Sequence, residues 1–105
     1  MNTYWTDILP TDVRWSDEKN RRLRQTRGVG FEDAVQAVQD GRVIATTRHP
    51  NAHEYPNQMI TIVWIEDYAY VVPFVEDNGA IFLKTMYPSR KWKRRTKGDR
   101  NDRTK

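Results

Sequence analysis

Gln58-Met59-Ile60-Thr61-Ile62-Val63-Trp64-Ile65, then Glu66-Asp67, then Tyr68-Ala69-Tyr70-Val71-Val72-Pro73-Phe74, is the stretch whose reading decides the fold. Both runs are rich in β-branched and aromatic residues, which suit a pleated surface. Alternation puts Ile60, Ile62 and Trp64 on one face and Met59, Thr61, Val63 and Ile65 on the other. Glu66-Asp67 fits a tight hairpin turn, and 68–74 returns. Pro73 has no N–H to give a ladder, so it is expected at an edge or a bulge. Glu76-Asp77-Asn78-Gly79 signals a second hairpin turn. Ala80 to Tyr87 reads as the last strand, with Lys84 on the face opposite Ile81, Leu83 and Thr85.

Upstream, Val43 to Thr47 is β-branched and follows a turn signal, so it joins the same antiparallel meander. The polar segment 48–57 between them reads as a loop, because Pro50 and Pro56 interrupt regular structure. Before the strands come two helices. Ser16 offers an N-cap, Asp17 and Glu18 suit the positive end of a helix dipole, and Gly28-Val29-Gly30 stops that helix after Arg27. Its outer face carries Lys19, Arg21, Arg22, Arg24 and Arg27, with Leu23 as its chief apolar residue. Phe31, Ala34, Val35 and Val38 then form one face of a second helix, which Asp40-Gly41 ends. Asp12-Val13-Arg14-Trp15 suits a short strand ahead of both. The expected order is β-α-α-β-β-β-β, an α+β fold with an antiparallel sheet packed on two N-terminal helices. The second sheet face is left for a partner.

The chain of 105 residues is enough for one domain. It has no cysteine, which excludes disulfides and thiolate zinc sites within it. The opening residues MNTYWTDILP lack a basic segment followed by an apolar one, so no secretion signal is expected. The longest apolar run, Val71 to Val75, is far short of the ~20 residues that cross a bilayer. A cytoplasmic protein with no membrane association is expected. The net charge of +4 is unevenly spread: residues 90–105 carry +7 and the remainder −3. The division expected is a domain over 1–93 and a basic, disordered tail over 94–105.

No phosphate-binding loop, dinucleotide fingerprint, nucleophile elbow or metal motif is present in the sequence. Three groups of residues remain. In the loop, His49 beside Arg48, with His53 and Glu54, has the acid–base chemistry for proton transfer near neutral pH, or is a polar surface loop. Two histidines four apart bind zinc only if helical, which the prolines oppose, so no metal and no cofactor are expected. At the end of the last strand, Lys84, Tyr87, Arg90 and Lys91 form a cationic cluster suited to holding a phosphate. In the tail, Trp92 and Lys93 combine a stacking ring with phosphate-binding charge.

Trp15-Ser16-Asp17-Glu18-Lys19-Asn20, followed by Gly28-Val29-Gly30-Phe31-Glu32-Asp33-Ala34, resembles the opening of the BrnT toxins of bacterial toxin–antitoxin pairs. Those begin with a strand, a W-D/N-x-x-K helix start and a G-V/I-S/T-F-E-E-A second helix. Arg48-His49 is similar to that family's R-H pair in the loop before its hairpin. Tyr55-Pro56-Asn57-Gln58, 72–77, 82–85 and Pro88-Ser89-Arg90-Lys91 look like a BrnT-related branch, so the resemblance spans about residues 13–92. Two features depart from the family: its S-A-R-R-A run stands here as Pro88-Ser89-Arg90-Lys91, and His53 and Tyr55 replace in part its charged loop residues.

The resemblance implies a RelE-like fold, metal-independent cleavage of mRNA by attack of the substrate's own 2′-hydroxyl, and a cognate, DNA-binding antitoxin as partner. Carried onto this chain, it makes His49, Lys84, Arg90 and Lys91 the catalytic candidates and Arg48, Tyr87, Trp92 and Lys93 the RNA-binding candidates. The alternative is a non-catalytic module of the same fold that binds nucleic acid or protein.

Overall fold

A computed structural model of the chain describes residues 12–95. Within that span the protein is α+β: β1 (Asp12–Arg14), α1 (Asp17–Arg27), α2 (Phe31–Gln39), β2 (Val43–Arg48), β3 (Met59–Ile65), β4 (Tyr68–Asp77), β5 (Ala80–Leu83) and β6 (Tyr87–Pro88). A third helix, α3, covers residues 90–95. The strands form one mixed sheet in the order β1-β5-β4-β3-β2, with β6 also paired to β4.

The β2-β3-β4-β5 meander is antiparallel, as the alternation requires. Asn78 and Gly79 both take positive φ at the second hairpin, the demand of a two-residue turn that matches strand twist. The turn is therefore only those two residues, and β4 runs on to Asp77 rather than stopping at Phe74.

Four expectations are corrected. The sheet is not wholly antiparallel, because β1 lies parallel to β5, with Val13 opposite Ile81 and Arg14 opposite Phe82. The last strand is not continuous from Ala80 to Tyr87. The Lys84 N–H donates to Pro73 O at 2.8 Å, but Pro73 has no N–H to return the bond. The ladder fails there, residues 84–86 leave it, and pairing resumes at Tyr87 opposite Val71. There are three helices rather than two, since Arg90 and the residues after it coil instead of trailing away. The second sheet face is accordingly not left wholly to a partner: Trp92 of α3 packs against the cluster Ile60, Ile62, Ala69 and Val71 there. Of the expected tail, Arg94 and Arg95 are helical and 96–105 lie outside the described residues, as do Trp5, Ile8 and Leu9.

α1 and α2 cover the first face. Leu23, Phe31, Ala34, Ala37 and Val38 meet Val63, Ile65, Val72, Phe74, Ile81 and Leu83 in one buried core. α1 is capped as its sequence asks: Ser16 Oγ accepts from the Lys19 N–H, and Gly28 closes the other end at φ 76°. The joint between the helices rests on a polar residue, Asn20, which is buried. Its Oδ1 accepts from the Phe31 N–H at 2.7 Å and its amide donates to Glu32 Oε2 at 2.9 Å. One side chain of α1 thereby satisfies a free N–H in the first turn of α2. Gly30 is required here for space: a Cβ on it would lie 2.6 Å from Asn20 Oδ1 and 2.9 Å from Arg24 Nε. Arg24 completes the joint with Glu32 at 2.8 Å and Asp33 at 3.4 Å. Hydrogen bonding from Asn20 holds the Glu32 carboxyl below its ordinary pKa, against partial desolvation that acts the other way, with Arg24 adding to the lowering.

Replacing Asn20 with Ala leaves the Phe31 N–H buried without its partner, a loss of about 1–3 kcal/mol. The melting temperature should fall by roughly 4–8 °C per kcal/mol, and Gly30→Ala should act in the same direction by displacing Asn20. Thermal melts check both. Glu32 binds its proton less readily folded than unfolded, so its contribution is full above the ordinary carboxyl range and lost as pH falls through its lowered folded value. Glu32→Gln should therefore flatten the acid limb of a stability-against-pH curve and leave the neutral slope alone. Trp92→Ala should release α3, seen as at least roughly tenfold faster hydrogen exchange at the Lys93 amide, which bonds to Ser89 O, while β3 amides keep their protection.

Candidate functional site

The second face of the sheet is divided. Over β2, β3 and the first half of β4 it is apolar, and Trp92 packs there. Over β1, β5 and the far half of β4 it opens into a cleft of about 370 Å³. Arg14, Val75, Asp77, Phe82 and Lys84 line it, with Asp12 at its rim. Alternation explains the set. Ile81 and Leu83 are buried in the helix-covered core, so Phe82 between them and Lys84 beyond them fall to the other face. The parallel β1–β5 register then brings Arg14 opposite Phe82.

The chemistry of this cleft is cationic and aromatic. The Lys84 ammonium lies 5.3 Å from the centre of the Phe82 ring, which is 36% exposed and thus open to a ligand. Arg14 is held by two hydrogen bonds to the Asp12 carboxylate, at 3.1 Å and 2.8 Å. That pair raises the already high guanidinium pKa through the hydrogen bond first and charge second. It also fixes the direction of the guanidinium while leaving it in water. Asp77 puts a second carboxylate in the cleft, opposite Ala80 at the hairpin end.

The eight site residues expected from the sequence fall in three places. Lys84 stands in the cleft. Arg48 and His49 lie at the other edge of the sheet. The His49 N–H bonds Gln58 O, which continues the β2–β3 register by one residue. Carried across β3 and β4, that row reaches Val75, Phe82 and Arg14. His49 and Phe82 are thus three strand spacings apart on one row, about 14 Å of backbone. The His49 ring packs on Tyr55 with centroids 4.6 Å apart, and its Nδ1 accepts from the Asn51 N–H. That contact leaves Nε2 to carry the proton of the neutral ring.

Tyr87, Arg90, Lys91, Trp92 and Lys93 are the third group. The Ser89 N–H bonds Ala69 O, whereas Lys84 bonds Pro73 O. The start of α3 is therefore four β4 residues from Lys84, about 13 Å along the strand. Arg90 and Lys91 are exposed on α3. Lys93 lies with its ammonium 4.5 Å from the Tyr68 ring centre, and Arg95 stacks 4.8 Å from that of Trp92. With its ring between the apolar cluster and Arg95, Trp92 holds α3 to the sheet.

Sequence reasoning missed Arg14, Phe82 and Asp77. Phe82 was legible, since a period of two puts it on the face of Lys84. Arg14 was not, because nothing local announces a parallel pairing between residues 14 and 82. Among the described residues no group of three or more His, Asp or Glu is placed to hold a metal ion, and no helix is long and apolar enough to cross a membrane. The chain matches no protein-family model and no curated protein.

Proposed function

We propose that this protein binds single-stranded RNA in the β1–β5 cleft and cleaves it without a metal, as a toxin of the BrnT-related kind held in check by an antitoxin chain. The observation that carries the proposal is an exposed aromatic ring, Phe82, flanked by Lys84 and Arg14 on a sheet face that α1 and α2 leave uncovered. A base stacks on such a ring at a gain of about 1–3 kcal/mol, whatever its identity. The adjoining phosphate then meets the ammonium and the guanidinium. Lysine is flexible, so a base entering over Phe82 moves the ammonium from the ring onto the phosphate.

The reaction needs three things. The 2′-hydroxyl loses its proton as its oxygen attacks the neighbouring phosphorus. The phosphorane gains negative charge, which Lys84 and Arg14 offset where it develops. The 5′-oxygen leaves and takes a proton from water, giving a 2′,3′-cyclic phosphate and a free 5′-hydroxyl. Asp12 is committed to Arg14, so Asp77 is the carboxylate placed to accept the first proton. His49 stands at the far end of the row, where its Nδ1 is taken by the Asn51 N–H and its Nε2 is the ring nitrogen that meets a strand of RNA laid across the sheet.

Purified protein incubated with single-stranded RNA in chelator should yield products ending in 2′,3′-cyclic phosphate. Lys84→Ala should lower the rate by about 10²–10³-fold, the loss seen when a charge-stabilising donor is removed. Phe82→Ala should weaken binding, and Asp77→Asn should lower the rate with little change in binding. Expression without a partner should arrest bacterial growth in the wild type and not in Lys84→Ala. Binding without cleavage would favour the non-catalytic module. Absence of both, at good soluble yield, would overturn the proposal.

A further inference from the structure

On the opposite side of the molecule from the cleft, α1 and the connection from β5 to β6 enclose a groove of about 380 Å³. Lys19, Arg22 and Arg27 stand along one wall, and Thr85 and Tyr87 form the other. No carboxylate is among the described residues that line it. Leu23 and Met86, both buried, make its floor, so the charged walls stand on the core rather than on a mobile loop. Lys19 and Arg22, three apart, are neighbours on the helix surface, and Arg27 reaches the same groove about one turn further on. Arg24, off this side, is committed to Glu32 and Asp33. Among the described residues Arg22 has an acidic neighbour, Glu18 at 3.6 Å, and both partners are largely in water, where such a pair is weak.

A cationic wall with no carboxylate among the described residues that line the groove suits a phosphodiester chain. From Lys19 to Arg27 is eight helical residues, about 12 Å, the length of a few stacked nucleotides at ~3.4 Å each. We infer that this groove is a second RNA site, which holds the backbone of a long RNA while the cleft engages the scissile step. The inference rests on the RNA reading of the cleft for its choice of ligand. The kink after Lys84 supplies the groove's floor: had β5 run on straight, Met86 would stand opposite Val71 on the second face instead of in the core beside Leu23.

The test is binding by fluorescence anisotropy as a function of salt. Its probes are a long single-stranded RNA and a tetranucleotide, both 2′-O-methylated so that neither is cut. Lys19→Gln/Arg22→Gln/Arg27→Gln should lower affinity for the long RNA roughly tenfold or more and reduce the log–log salt slope by about 2 units, at about 0.7 per phosphate contact. Affinity for the tetranucleotide should stay the same. Phe82→Ala should do the reverse, weakening the tetranucleotide and leaving the slope unchanged. Arg22→Gln alone should weaken the long RNA and lower the slope by about 0.7 units, which keeps the test open if the triple variant unfolds. An unchanged slope and affinity in the α1 variant would overturn the second site even if Phe82→Ala weakens binding, and would leave the groove's charge to an acidic protein partner. A slope that falls while Phe82→Ala has no effect would uphold the groove and overturn the cleft. No binding of long RNA by the wild type would overturn both.

Discussion

Pro73 has no N–H, and the arrangement of the C-terminal half follows from that. It sits within the longest strand of the sheet, between β3 and the strand that returns after Asn78-Gly79. On the β3 side nothing is missing. On the other side its carbonyl takes the Lys84 N–H, and the reciprocal bond is impossible. One edge of β4 therefore serves two short strands, β5 and β6, with a three-residue departure between them. That departure shifts the alternation by one residue, so that Met86 is buried in the core, and brings the chain back at Tyr87 opposite Val71, so that α3 starts over the second face. A residue with an N–H at this position would allow a longer β5, in which Lys84 and Thr85 keep their faces and Met86 falls to the second one.

The helical layer depends on a different device. α1 has little apolar surface beyond Leu23, so the core contribution of the hairpin comes mostly from α2. What fixes α1 to α2 is the buried amide of Asn20 under Gly30, with the Arg24–Glu32 pair over it. This frees the rest of α1 from packing duty. Its cations then face solvent and the groove, and the two roles of the helix fall on different residues of the same eleven.

Much of this was legible in the sequence, for local reasons. Ser16, Gly28 and Asp40-Gly41 mark helix ends by chemistry that acts within one turn. The alternation in 59–65 and 80–83 fixes which side chains share a face. The anomaly at Pro73 was also visible, as a residue needing an edge or bulge, though not that its partner strand would bear the consequence. What was hidden is non-local. The parallel pairing of 12–14 with 80–82 joins segments with no sequence signal in common, and it alone brings Arg14 to Phe82 and Lys84. Asn20 looks like any polar residue on a charged helix until α2 arrives above it. The basic run beginning at Arg90 reads as a tail because its composition is polar, yet Trp92 gives it enough apolar area to fold onto Ile60, Ile62, Ala69 and Val71. The candidate residues around His49, Lys84 and Arg90 were chosen by type, and type does not say that the sheet holds them at three separate stations.

The central claim is that RNA meets the protein at the ring of Phe82 between two cations. An amide-and-methyl chemical-shift titration of the isotopically labelled protein with a 2′-O-methylated single-stranded RNA reads this residue by residue. The account predicts the largest shifts at Arg14, Phe82 and Lys84, with further shifts along the Lys19–Arg27 side of α1. Shifts absent from β1 and β5 while others appear around His49 or α3, or no shifts at all with saturating RNA, would contradict it.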